Sequence, residues 1–312
     1  MKYTLHQLQI FQKVVRLESI SRAAEELHMT QPAVSIQMRN FQDQFEIPLT
    51  EIIGRKLHVT EFGYEISRMA DEILDQVEAI NYKTMTYQGL LAGYLKISSV
   101  STGKYILPYL LSGFLKQHEG IDLEMDVTNK KRVVESLEKN EIDFALVSFL
   151  PDKINVKEEL LLDNTLHLVG REIPDGKDRL TREDLKSLTL IMREEGSATR
   201  ASMEAWMTRN DIQVKRKMQL TSNEAVKQAV MAGIGYSVMP LIGLLHQLEN
   251  EQLVIIPAEG LPRLTQWRII WLEGKKLSPV SQAFLDYIRR EKAKIIGNQF
   301  KGMEKWSEMQ VS

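Results

Sequence analysis

The apolar positions of this chain change period along its length, and each change marks a different kind of element. In the opening residues, MKYTLHQLQIFQKVVRLES, the apolar side chains are broken by Gln, Lys and Arg at helical spacing. Ser19 is a good N-cap for a helix through Ala23, Ala24 and Leu27, and Thr30 with Pro32 marks the start of the next one. The turn between them, His28 to Thr30, has the shortness that a helix-turn-helix requires. In the second helix Val34, Met38, Phe41 and Phe45 recur by four, three and four, so one stripe faces a small core. Gln31, Ser35 and Arg39 form the stripe assigned to the opposite side, and Gln37 joins them as a hydrogen-bonding side chain.

After Thr60 the helical period resumes over a longer stretch. Phe62, Ile66, Met69, Ile73, Val77 and Ile80 follow one another by four, three, four, four and three, within one helix expected to run to about Gln88. A seam this close to a heptad suits pairing with a second copy, and docking on its own chain is the alternative.

From Leu90, beyond Gly89 and Gly93, strand-like and helix-like segments alternate. Strands are expected at 94–98, 121–128 and 142–147, with helices at 104–117 and 131–139. A second set follows, with strands near 189–192, 214–220 and 234–239 and helices near 199–208, 223–231 and 241–248. Such alternation predicts mostly parallel sheets covered by helices. Two sets joined by crossings at 166–170 and 267–271, with a helix over 279–292 returning to the first set, make two lobes with a cleft between them. The organisation read from the chain is therefore a head (1–60), a linker helix (61–89), a two-lobed domain (90–295; first lobe about 90–164 and 269–295, second about 165–268) and a tail (296–312). The tail carries Phe300 and Trp306 among charges, and fits either a short docking helix or a frayed end.

Short polar side chains on successive turns of the second helix can reach base edges while the N-terminus of that helix faces a phosphate. An exposed polar face on a helical hairpin is the plainer explanation. Gly54, Arg55 and Lys56 just beyond the hairpin, where a basic wing tip would touch the DNA backbone, favour DNA. The candidate DNA-contacting residues are Thr30, Gln31, Pro32, Ser35, Gln37, Arg39, Arg55 and Lys56.

This stretch resembles the LysR-type transcriptional regulators, on Ser19, Ala23, Ala24, Thr30, Gln31, Pro32, Ala33, Val34 and Ser35, and the likeness extends through Gly63 and more loosely across almost the whole chain. There are departures. Family members usually carry Arg where this chain has Ile36 and Ile52, and Phe where it has Thr50. Fewer cations imply fewer phosphate contacts and a shallower salt dependence, since each neutralised phosphate contributes roughly one unit to the log–log slope. The resemblance implies a winged helix-turn-helix, paired linker helices in a dimer and often a tetramer, and a periplasmic-binding-protein-like effector domain. A two-fold protein would also read two half-sites.

In open α/β lobes ligands sit off the carboxyl ends of strands, where helix N-termini offer unpaired amides. Hydroxyls gather at those points: Ser98, Ser99, Ser101 and Thr102 after the first strand, Thr128 and Asn129 after the second, and Ser197 and Thr199 with Arg200 in REEGSATR. That is an anion-binding arrangement, although Ser197 as a simple N-cap explains part of it. The resemblance maps effector contacts onto Ser99, Ser101, Thr102, Ser197, Thr199 and Arg200. Thr128, Phe149 and the turn at Thr221 and Ser222 are further candidates, and Phe149 fits a core position equally well.

Composition narrows the picture further. The net charge of -2 carries no signal for nucleic acid, and the first sixty residues hold seven Lys or Arg against six acids, so the DNA argument rests on placement. The absence of cysteine excludes disulfides, thiol catalysis and thiolate metal sites. The six His show no metal-ligand spacing, the fourteen Met fall mostly at helical core positions, and the Gly-x-Gly in GIGYS reads as a turn into a buried strand. No cofactor or metal is expected. With no export signal and no run of about 18 apolar residues, a cytoplasmic protein is expected. Its expected partners are promoter or operator DNA, a small polar or anionic metabolite, further copies of itself and RNA polymerase, with no membrane and no catalysis. A cytoplasmic solute-binding protein with an N-terminal protein-interaction module is the competing function, and an enzyme on the same fold would need an acid/base pair facing the cleft.

Overall fold

A computed structural model of the chain describes residues 2–54, 56–83, 87, 89–177 and 179–307. It divides into two compact units, Met1–Gly93 and Tyr94–Ser312.

The first unit is built on three short helices, α1 (Leu5–Leu17), α2 (Ile20–Glu26) and α3 (Gln31–Gln42). Local chemistry sets their starts. Thr4 and Gln7 form a reciprocal capping box on α1, and the Ser19 hydroxyl accepts the Arg22 amide at the head of α2. Thr30 occupies the N-cap of α3 but makes no side-chain cap bond, and proline in the first turn supplies the start signal instead. Between α2 and α3 the chain reverses through His28, at φ 53°.

Phe11, Val14, Ala23, Ala24, Val34, Met38 and Phe41 close the core of this unit. Phe45 packs on it too, edge-on to Phe41 with ring centroids 5.1 Å apart, but from beyond the helix, because α3 ends at Gln42. Strands β1 (Thr50–Ile53) and β2 (Lys56–Val59) pair antiparallel as a wing, in the register Thr50↔Val59 to Ile53↔Lys56. Arg55, the expected wing-tip cation, lies outside the described residues.

Helix α4 spans Glu61–Asn81, capped by the Thr60 hydroxyl, which accepts the Gly63 amide at 2.9 Å. It stops short of the expected end at Gln88, and residues 84–86 and 88 lie outside the described residues. The expected dimerisation seam is not one surface. Phe62 and Ile66 pack on the core of their own unit, together with Ala70 and Leu74, whereas Met69, Ile73 and Ile80 are exposed and Val77 is half-buried. Heptad-like spacing cannot separate these faces, because positions three and four apart serve an internal core as readily as a partner.

In the second unit the order is β3 (Ala92–Val100), α5 (Leu107–Gln117), β4 (Gly120–Thr128), α6 (Lys130–Glu138), β5 (Phe144–Val147), β6 (Val156–Gly170), α7 (Arg182–Ser187), β7 (Thr189–Arg193), α8 (Ala198–Arg209), β8 (Arg216–Leu220), α9 (Asn223–Met231), β9 (Ser237–Pro240), α10 (Leu245–Glu249), β10 (Val254–Ile256), β11 (Arg263–Leu272), α11 (Pro279–Gln299) and α12 (Met303–Ser307). Strand β11 pairs antiparallel over its whole length with residues 156–166 of β6, and the two strands run through both lobes. At one end β11 carries β5, then β3 and β4; at the other, β6 carries β9 and β10. The sheet is more mixed than the alternation of elements suggested. Pairs β3–β5 and β7–β8 are parallel, but every pairing made by the two crossing strands is antiparallel. Within the ribbon Trp267 faces Leu162 and Arg268 faces Leu160, which leaves Leu161 without an opposite number.

Each lobe has its own core. In the first lobe the Phe284 ring of α11 lies 5.2 Å from that of Phe114 and 5.7 Å from that of Phe144, and Trp206, Leu190, Met203, Leu185 and Ala258 form the core of the second. The tail docks as far as it is described: Phe300 and Met303 are buried, and the Phe300 ring meets Tyr109 edge-on. Among the described residues no helix is long and apolar enough to cross a membrane.

Candidate functional site

In the first unit, α3 presents Gln31, Pro32, Ile36, Arg39 and Asn40 to solvent, while Ser35 and Gln37 are half-buried on its flanks. The expected stripe of Gln31, Ser35 and Arg39 is therefore only part of the outward face, and its centre is taken by Ile36, 55% exposed. Arg39 makes no ion pair with a described residue. Thr30 is exposed, with its hydroxyl not engaged in a cap, and Lys56 is exposed on the wing. Elsewhere in this unit Lys13 pairs with Glu26 at 2.8 Å and Arg22 donates to the Leu17 carbonyl, so these cations are committed to the fold.

In the second unit a cleft of about 1200 Å³ opens between the lobes. One wall is α6 with Lys130 and Lys131, continued by Phe149 and Lys153. The other is α8, with Ser197 at its cap, Arg200 in its first turn and Ser202 beyond, and β11 contributes Arg263, Gln266 and Arg268. Gly196, at φ 83°, brings the turn before α8 close to the opposite lobe: a Cβ there would lie 3.2 Å from the Lys131 Cβ. Arg200 is braced by Glu204 (2.8 Å), the Gln219 side chain (2.7 Å) and the Arg193 carbonyl (3.2 Å). Ser202 is buried, and its hydroxyl has no partner among the described residues. Such an orphan is uncommon without a ligand or water to meet it.

Of the eight expected effector contacts, the cleft brings together Phe149, Ser197 and Arg200. The others are placed differently. Ser99 is fully buried, donates to the Val100 carbonyl at 3.0 Å and lies under the following turn, where a Cβ on Gly103 would fall 1.9 Å from its hydroxyl. Ser101 is held by the second lobe, accepting from Arg193 Nη1 at 3.0 Å and from Asn223 Nδ2 at 3.1 Å. Thr102 is buried in the same turn, and Thr128 and Thr199 are half-buried off the cleft. Ser222 caps α9, accepting the Ala225 amide.

The sequence reading missed Arg193, 3% exposed and held by both carboxylate oxygens of Glu194 at 2.7 and 2.8 Å, and its neighbour Asn223, equally buried. An arginine ending the apolar run of Leu190, Ile191 and Met192 was the available signal. It also passed over Lys130 and Lys131, although NKKR directly follows a strand end. Near this polar contact Tyr105 lies between Lys104 and Lys227, and burial, with Glu224 beside it, pushes its phenol up to about 12. No cluster of His, Asp and Glu that could hold a metal occurs among the described residues.

Comparison with known proteins assigns both units. The description "Bacterial regulatory helix-turn-helix protein, lysR family" matches residues 5–64, and "LysR substrate binding domain" matches residues 88–293. The chain is a LysR-type transcriptional regulator. It is 36% identical to the RuBisCO operon transcriptional regulator of Allochromatium vinosum over 95% of this chain and 98% of that protein. The HTH-type transcriptional activator CmpR of Synechocystis sp. is likewise 36% identical, over 91% of this chain and 94% of the relative. Among solved structures, the regulatory domain of Synechocystis CcmR in complex with 2-PG superimposes with a TM-score of 0.59 at 34% identity, covering 63% of this chain and 95% of that one. This LysR-type regulator thus joins a DNA-binding head to a two-lobed effector-binding domain. Its relatives are regulators of transcription.

Proposed function

We propose that α3 reads base edges with Gln31, Ser35, Gln37 and Arg39, that Thr30 and Pro32 set its N-terminus against a phosphate, and that Arg55 and Lys56 hold the DNA backbone. The exposed Met69, Ile73 and Ile80 of α4, with Val77, pair with a second copy, giving a dimer and, through further contacts, a tetramer that addresses RNA polymerase in the cytoplasm. The division into head, linker helix, two lobes and tail follows the sequence boundaries given above. The effector is a small anionic metabolite held between Lys130 and Lys131 on one wall and Ser197, Arg200 and Ser202 on the other. The protein itself catalyses nothing.

One observation carries the effector reading: a guanidinium, a capped helix N-terminus and an unpaired buried hydroxyl share one wall of a lysine-lined cleft. That the related CcmR regulatory domain takes 2-PG supports an anion of this kind. The effector acts by preferring one arrangement of the lobes and hence one packing of the oligomer on DNA, and it shifts that equilibrium only by its differential affinity for the two states. A thermal-shift screen of the full-length protein against organic phosphates and dicarboxylates, followed by footprinting on its own promoter with each hit, tests this. A stabilising anion that alters the footprint is expected. Stabilisation by no anion, or identical footprints throughout, would overturn it.

A further inference from the structure

Ile36 is the side chain of α3 that points most directly away from the protein. With about 3.6 residues per turn, Val34, Met38 and Phe41 gather on one side, and Ile36 stands roughly opposite their mean direction. Its neighbours on that face, Pro32, Arg39 and Asn40, are exposed as well, and Ile36 is absent from the apolar cluster that holds the unit together. A β-branched side chain is a modest helix former, so helix propensity gives no reason for it at a solvent-facing position.

In the major groove an apolar side chain has one favourable partner, the C5-methyl group of thymine, because the remaining base-edge groups are polar donors or acceptors. We propose that Ile36 is a specificity-determining residue that reads a thymine methyl at the centre of each half-site. The inference rests on α3 being the base-reading helix, as proposed above. Ile36 carries no charge and so adds nothing to phosphate neutralisation. It therefore contributes to discrimination and leaves the salt dependence of binding alone.

The test uses the full-length protein and a preferred duplex selected from a random pool. Each thymine of that duplex is replaced singly by uracil, which removes the methyl group and keeps the pairing. Wild-type protein is expected to bind about fourfold more weakly at one position per half-site, the change that burial of one methyl-sized group yields. Ile36→Ala is expected to bind the thymine duplex correspondingly less well, to be indifferent to that uracil, and to keep the wild-type salt slope. Ile36→Arg steepens the slope by about one unit. Because Ile36 is exposed, neither change should alter helical content by circular dichroism. If no preferred duplex emerges, base reading by α3 is itself wrong. If one emerges but wild type ignores every uracil, or Ile36→Ala responds as wild type does, the role of Ile36 is refuted while the reading helix stands.

Discussion

Replacing Ser101 by alanine tests whether its hydroxyl ties the two lobes together. It accepts one bond from the Arg193 guanidinium and one from the Asn223 amide, at 3.0 and 3.1 Å, and both donors sit on residues that are 3% exposed. A hydrogen bond from a charged donor is worth about 1.5–3 kcal/mol and a neutral one about 0.5–1.5. Arg193 keeps both oxygens of Glu194, so its loss belongs at the low end, and about 2 kcal/mol is the expected cost of Ser101→Ala. For a unit of this size that lowers the melting temperature by roughly 4–8 °C. The assay is direct, since all four tryptophans, Trp206, Trp267, Trp271 and Trp306, lie in the second unit and their fluorescence follows it alone. A shift under about 1 °C would mean that the hydroxyl is not engaged between the lobes.

Further perturbations have equally definite outcomes. His167 is buried on β6 beside the Thr165 hydroxyl, and burial lowers its pKa from 6.5 to about 4. The unfolded chain therefore takes up a proton below pH 6.5 that the native state refuses until about pH 4, so stability is full above this window and falls by about 3 kcal/mol as pH drops through it. His167→Gln should flatten that part of the profile in urea unfolding followed from pH 7.5 to 4.5; an unchanged slope would contradict the burial argument. Phe41→Ala empties the centre of the head's core at a cost of about 3–5 kcal/mol, so DNA binding should be lost while tryptophan-monitored melting of the second unit stays put. Ile73→Asp should shift the sedimentation profile towards the monomer, and an unchanged profile would remove α4 from the proposed interface. Arg200→Ala should retain DNA binding and lose the response to effector, whereas loss of binding to the selected duplex would show the site to be misplaced.

What could be read from the sequence followed the range of the interactions involved. The helix-turn-helix and α9 were legible because Ser19, Pro32 and Ser222 act on backbone within one turn of themselves. The first half of β6 was not, because Lys157, Glu158 and Glu159 look like loop. Their strand is stabilised by β11, and Glu158 and Glu159 meet Arg268, Arg289 and Lys292, more than a hundred residues away. Ser101 shows the same limit at the site. Its hydroxyl was correctly placed after a strand, but its partners lie 92 and 122 positions further on, and nothing local distinguishes a hydroxyl awaiting a ligand from one already occupied. In α4 the periodicity was right and the face ambiguous, since only packing separates Phe62 and Ile66 from Met69 and Ile73.

Leu161, the residue of β6 with no opposite number on β11, sits where the shared ribbon passes from one lobe to the other. Excising it would leave every remaining rung matched, at the cost of one buried leucine. It would also straighten the ribbon, because a bulge adds local bend and twist. The two jaws would then be sound pieces set at the wrong angle, so the alignment of the mouth depends on a single surplus amino acid.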